Sequence, residues 1–106
     1  MPNKYRNKSM RIDGIYFPSQ REGAEYVYLK WRQKAGEISH LSVHPKFLLM
    51  AEGVSIGHYV ADFIFRENGK QVVVDVKSPP TRTPFYRWKT KHLRAQYPHI
   101  DLREVF

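Results

Sequence analysis

Residues 57–77 read GHYVADFIFRENGKQVVVDVK, and this stretch decides the fold. Two strand-like runs flank Asn68-Gly69, the strongest short-range signal for a two-residue type I′ turn. With that turn the register follows: Glu67 faces Lys70, and counting outward places Asp62 opposite Asp75. The pair is of the non-hydrogen-bonded kind, with Cβ atoms about 4.5–5.5 Å apart. Alternation puts Ala61, Phe63, Phe65, Val72, Val74 and Val76 on one face, all apolar. Asp62, Ile64 and Arg66 share the other face with Gln71, Val73, Asp75 and Lys77. Two carboxylates opposed across a ladder destabilise it unless positive charge lies between them. A divalent cation with the Lys77 ammonium beside it would meet that need.

Asp62 followed by Asp75-Val76-Lys77 resembles the signature of the PD-(D/E)XK nuclease superfamily, in which an Asp and a later D/E-x-K lie on adjacent antiparallel strands. The wider chain resembles a small phage and prophage group of that superfamily, related to Holliday junction resolvases. The closer resemblance rests on residues 13–26 (DGIYFPSQREGAEY), 59–63 (YVADF), 73–78 (VVDVKS) and a following basic helix. It spans nearly the whole chain. Asp75 stands where Glu is commoner, and the superfamily tolerates both.

The resemblance implies an α/β, restriction-endonuclease-like core: helix, three antiparallel strands, helix, strand, in a mixed sheet flanked by helices. It implies Mg²⁺, with Mn²⁺ as a substitute, held by Asp62, Asp75, the Val76 carbonyl and Glu22. Lys77 would orient water or stabilise developing charge, and a basic residue is implied at Lys89. The activity implied is hydrolysis of DNA phosphodiester bonds, structure-specific for Holliday junctions or branched DNA. Resolving a junction needs two sites facing two strands, so a twofold homodimer is expected.

Composition points the same way on its own terms. A chain of 106 residues fits one domain. Its formal net charge of +8 favours an anionic partner, nucleic acid foremost. No apolar run approaches the ~20 residues of a membrane span, and no signal-peptide pattern opens the chain, so a cytoplasmic location is expected. With no cysteine, disulfides and thiolate zinc sites are excluded.

The opening ten residues, basic at Lys4, Arg6 and Lys8, read as a flexible tail, either merely solvated or an arm touching phosphates. Asp13-Gly14 between Ile12 and Ile15 suggests a short hairpin or bend. Residues 19–35 read as a helix ended by Gly36. One apolar stripe holds Ala24, Val27, Tyr28, Trp31 and Ala35; another holds Tyr26 and Leu29, headed by Glu22. Stripes on both sides predict a sandwiched helix. Ser19-Gln20-Arg21-Glu22 is a capping box, which gives Glu22 a structural role; the resemblance gives it a site role. Glu25 is the alternative, grouped by spacing with Arg21 and Arg32 away from the site.

Residues 38–43 predict a strand broken at Pro45, residues 47–50 a second apolar run, and residues 51–56 a turn. Pro79-Pro80 ends the hairpin, and Thr83-Pro84 starts a helix over 84–97. Arg87, Lys91 and Arg94 line its outer face and suit phosphate contacts. Lys89 falls on the inward stripe, either snorkelling or entering a site. Residues 100–105 alternate as a closing strand.

Five histidines (His40, His44, His58, His92, His99) raise a metal reading, but the four-residue spacing of His40 and His44 flanks a strand and does not gather ligands. His58 falls beside Lys77 and could touch substrate. Tyr86, Trp88 and Tyr97 stand among basic residues, as in single-strand binders, and equally suit a core. A non-catalytic nucleic-acid-binding module with a vestigial site explains the charge and aromatics as well. It does not explain two opposed aspartates beside a lysine.

Overall fold

The computed structural model describes residues 8–77 and 83–106. In chain order its elements are β1 (Met10–Ile12), β2 (Ile15–Phe17), α1 (Gln20–Lys34), β3 (Ser39–Val43), β4 (Lys46–Ala51), β5 (Val54–Val60), β6 (Phe63–Glu67), β7 (Lys70–Val76), α2 (Pro84–Gln96) and β8 (Asp101–Val105). Asn68 and Gly69 have φ of 53° and 76°, the left-handed pair a type I′ turn requires. The β6–β7 ladder then runs as expected, from Glu67↔Lys70 to Phe63↔Val74.

A four-stranded mixed sheet has the order β3-β6-β7-β8. β3, β6 and β7 are antiparallel neighbours, whereas β8 lies parallel to β7, with Asp75 paired to Glu104. Parallel neighbours cannot be joined by a tight turn, so α2 supplies the crossover. β1 and β2 form the short hairpin expected at Asp13-Gly14.

Both faces of the sheet are covered. Phe63, Phe65, Val72 and Val74 pack with Phe17, Tyr26, Leu29 and Ile38 on the α1 side. Val73 and Leu102 pack with Leu49, Tyr59, Ala61 and Leu93 on the α2 side. The supposed polar face of the hairpin is therefore polar only at its ends, because α2 and the β4–β5 hairpin bury its middle at Ile64 and Val73. Ala61 belongs to this second core, not to the first.

The single strand expected over residues 57–67 is two strands. β5 pairs with β4 in a separate hairpin that places His58 opposite Leu48. The chain changes partners at Ala61-Asp62, where the Ala61 amide donates to the Pro45 carbonyl and the Asp62 carbonyl accepts from the His44 amide, 3.0 and 2.9 Å. The turn expected over 51–56 shrinks to Glu52-Gly53, a pair with φ of 51° and 78° like that at Asn68-Gly69.

α1 is not sandwiched. It buries Gly23, Tyr26 and Leu29, whereas Tyr28 and Trp31 are 55% and 65% exposed. Ser19 caps α1 by accepting from the Glu22 amide at 3.2 Å, and Thr83 caps α2 by accepting from the Tyr86 amide at 3.1 Å. No helix among the described residues is long and apolar enough to cross a membrane. Lys4, Arg6 and the Pro79-Pro80 stop lie outside the described residues; Lys8 is exposed.

Candidate functional site

Asp62 and Asp75 meet at the open end of the β6–β7 hairpin, but not as a regular ladder pair. The ladder stops at Phe63↔Val74, since the chain must turn at Asp62 to reach β5. The Asp62 amide instead donates to the Val74 carbonyl and to Asp75 Oδ1, both at 3.2 Å. In return Asp62 Oδ2 accepts from the Val76 amide at 2.7 Å. Each carboxylate is thus held by the opposite strand's backbone. Amide donors partly offset the repulsion that a bare opposed pair would suffer.

Asp75 is 2% exposed. Burial pushes its carboxyl up to about 6, against the pull of Lys77 and the Asp62 amide. Asp62 is also raised, by burial first, with the Val76 amide, Lys77 and His44 opposing.

Glu22 arrives from the first turn of α1. Burial pushes its carboxyl up to about 7, and the Asp62 and Asp75 charges add to the shift while Lys77 opposes it. The capping box is formed on its Ser19 side, yet the Glu22 carboxyl is close enough to Asp62 for that charge to raise it further. A cap and a place in the acidic cluster coexist because the first turn of α1 abuts the end of β7. Glu25 has Arg32 as its charged neighbour and lies apart from this cluster. Arg21, which helical spacing groups with Glu25, donates to the Lys77 carbonyl at 3.4 Å.

From the other face comes a residue whose role spacing alone hides. Tyr86, in the first turn of α2, donates to Glu104 Oε2 at 2.9 Å and reaches Asp75 Oδ2 at 3.5 Å. Its ring also carries the Lys77 ammonium, 4.3 Å from the centroid, a cation–π distance. Tyr86 therefore touches both the carboxylate and the lysine of the Asp-Val-Lys run. Glu104 enters through the parallel β7–β8 pairing and adds a fourth acidic group.

His58, reassigned to β5, still lines a cavity with Lys77, together with Tyr59, Val60, Thr83, Phe85, Tyr86 and Lys89. Lys89 is half-buried, with its ammonium 4.8 Å from the Phe85 ring centroid. It both leans on an aromatic and borders the cavity. Arg87, Lys91 and Arg94 are exposed along a separate groove with Trp88, Thr90 and Glu104. Of the histidines, His92 contacts the Met50 carbonyl at 2.9 Å, and His40 and His44 occupy left-handed backbone at irregular points of β3 and its exit.

Among the described residues no three His, Asp or Glu side chains stand in a ready-made metal cage. What the site offers is a set of oxygen donors, half-buried at Glu22 and Asp62 and buried at Asp75, with all three carboxyls raised chiefly by burial and Glu22 raised further by the charges of the other two. Hard oxygen donors with excess negative charge suit a small divalent cation.

The molecule is an α/β protein with a mixed sheet, two helices and an acidic cluster beside a lysine at one sheet end. It belongs to the family described as "Protein of unknown function (DUF1064)", whose model matches residues 2–106. No curated protein and no solved structure matches it.

Proposed function

We propose that this chain is a metal-dependent endodeoxyribonuclease of the PD-(D/E)XK type, acting on branched or junction DNA. One observation carries the reading: Asp62, Asp75 and Glu22 converge from three elements beside Lys77, and Asp62 and Asp75 hold each other's strand. The order α1, β3, β6, β7, α2, β8, with the β4–β5 hairpin set between β3 and β6, supports this reading, since a helix, three antiparallel strands, a helix and a strand are what such a core would require. A formal charge of +8 suits a polyanionic substrate.

Asp62, Asp75, Glu22 and the Val76 carbonyl would hold Mg²⁺ or Mn²⁺. When bound, such an ion supplies polarisation of the scissile phosphate and a lowered pKa for water. The remaining work falls to the chain. Lys77 presents its ammonium where negative charge grows on the phosphoryl oxygens. The Tyr86 ring fixes that ammonium, and its hydroxyl orients Asp75. Glu22, reaching the cluster from the first turn of α1, would complete the ion's shell directly or through water. Arg87, Lys91 and Arg94 would hold phosphates outside the reacting one. A twofold homodimer would present two such sites to a junction.

The deciding experiment incubates purified protein with labelled four-way junction, flap and linear duplex DNA, with and without Mg²⁺ or Mn²⁺. Metal-dependent nicking of the branched substrates, lost in Asp75→Asn, is expected. Binding without cutting under every metal condition would replace the nuclease with a nucleic-acid-binding module.

A further inference from the structure

Beside the acidic cluster lies a cavity of about 340 Å³ whose lining the chemistry above does not use beyond Lys77 and Tyr86. It falls at the small end of ligand pockets, which run about 300–1,000 Å³. Two features of its wall point to one class of occupant.

The first is an exposed aromatic ring. Phe85 is 63% exposed although it sits in the first turn of a helix whose other side packs on the sheet. Leaving that ring in water is costly unless something covers it. The second is cationic. The Lys89 ammonium lies 4.8 Å from the Phe85 ring centroid, and Lys77 borders the same space; no Asp or Glu lines it among the described residues.

A flat apolar face and two ammonium ions answer two parts of a nucleotide: base and phosphate. We propose that this cavity is a subsite for a single unpaired nucleotide, stacked on Phe85 and neutralised by Lys89 and Lys77. An intact duplex keeps its bases stacked inside and cannot fill such a site. Only a strand with a nucleotide free of its partner can, at a fork, flap or junction arm. This deepens the nuclease reading and rests on it for the cavity's place beside the reacting phosphate; the stacking itself does not depend on catalysis.

The test uses the full chain and a single-stranded oligonucleotide carrying one 2-aminopurine, in EDTA so that no cleavage occurs. Stacking on an aromatic ring quenches this base. Quenching is expected with the unaltered protein and with Phe85→Tyr. Phe85→Leu, which keeps apolar bulk at an exposed position and so should fold, is expected to lose it. Affinity should fall roughly 5- to 150-fold, as for loss of one base–aromatic stack. Undiminished quenching by Phe85→Leu, or a duplex probe bound as tightly as the single strand, would overturn the subsite. Cleavage of branched DNA without quenching removes the subsite and leaves the nuclease; quenching without cleavage under any metal does the reverse.

Discussion

The β6–β7 hairpin carries acidic side chains at both ends, and the fold treats them in opposite ways. At the turn end, Glu67 pairs with Arg32 and, at 3.0 Å, with Arg103, while Arg32 and Arg103 also hold Glu37 and Asp101 at 2.8 and 2.9 Å. Hydrogen bonds from the two arginines hold the Glu67 carboxyl below its ordinary range. At the open end, Glu22, Asp62 and Asp75 share the neighbourhood of Lys77, and all three are raised. Both ends lie on the same two strands, so strand chemistry is not the cause. The difference is whether each carboxylate received its own cation. Paired acids serve stability; acids crowded under burial cost stability and mark a candidate functional site.

Asp75→Asn should break the comparison most severely. It removes a charge from the crowded end while keeping one carbonyl oxygen for the Asp62 amide. Cleavage should fall by orders of magnitude, with DNA binding kept or tightened and the melting temperature no lower. The counterpart at the other end is Glu67→Gln, expected to lower the melting temperature at neutral pH and leave the rate per folded molecule unchanged. A cleaving Asp75→Asn variant would detach the activity from this cluster.

Glu22→Gln comes next. Gln can still serve the capping box, so melting should stay near normal, while an uncharged amide is a poor partner for a hard divalent ion. Cleavage reduced by orders of magnitude, partly restored at high Mg²⁺, is the expected outcome. Ser19→Ala is the control: it should cost about 0.5–2 kcal/mol through the lost cap and spare the chemistry below the melting range. Normal cleavage by Glu22→Gln would leave Glu22 a capping residue alone.

Tyr86→Phe should have a smaller effect. It keeps the ring under Lys77 and removes the hydroxyl that reaches Glu104 and Asp75. Loss of a residue that orients a metal-binding carboxylate typically costs roughly 10- to 100-fold. The fall should appear in kcat with KM little changed, and Tyr86→Leu should fall further because the ring goes too. Equal rates for Tyr86→Phe and the unaltered protein would leave the hydroxyl without a part in positioning.

Much of this contrast is legible in the sequence. Asn68-Gly69 dictates the register that brings residues 62 and 75 together, and Ser19 and Thr83 begin their helices where capping chemistry places them. What escaped has physical causes. Glu52-Gly53 turns a hairpin without the Asn or Asp that usually advertises it, so β4–β5 read as a run and a turn. The change of partners at Ala61-Asp62 depends on Pro45 and His44, distant in sequence, and no local pattern encodes it. Glu104 faces Asp75 through a parallel pairing, whose register no turn allows one to count. Tyr86 lies at a helical spacing shared by ordinary core aromatics, and only the crossover of α2 brings it to the site.

The smallest expected effect is the pH dependence of stability in the metal-free protein, where the two ends should have opposite signs. For Glu22 the folded carboxyl is raised from its ordinary 4.5 to about 7, so the folded state keeps a proton that the unfolded chain has released. Its contribution is therefore full below 4.5 and is lost as pH rises through about 7; Asp75 behaves alike, with its upper limit near 6. Glu67 is lowered from 4.5, so its contribution is present above that value and disappears as acid protonates the paired carboxylate. Thermal melts in EDTA should show stability rising from pH 8 towards pH 5 and falling again below about pH 4. Glu22→Gln should flatten the neutral limb by roughly a few °C, since both ends are partly solvated and screening reduces the shift. Glu67→Gln should flatten the acid limb and leave the neutral one. If Glu22→Gln left the slope between pH 5 and 8 unchanged, the crowding assigned to the open end would not be felt by Glu22.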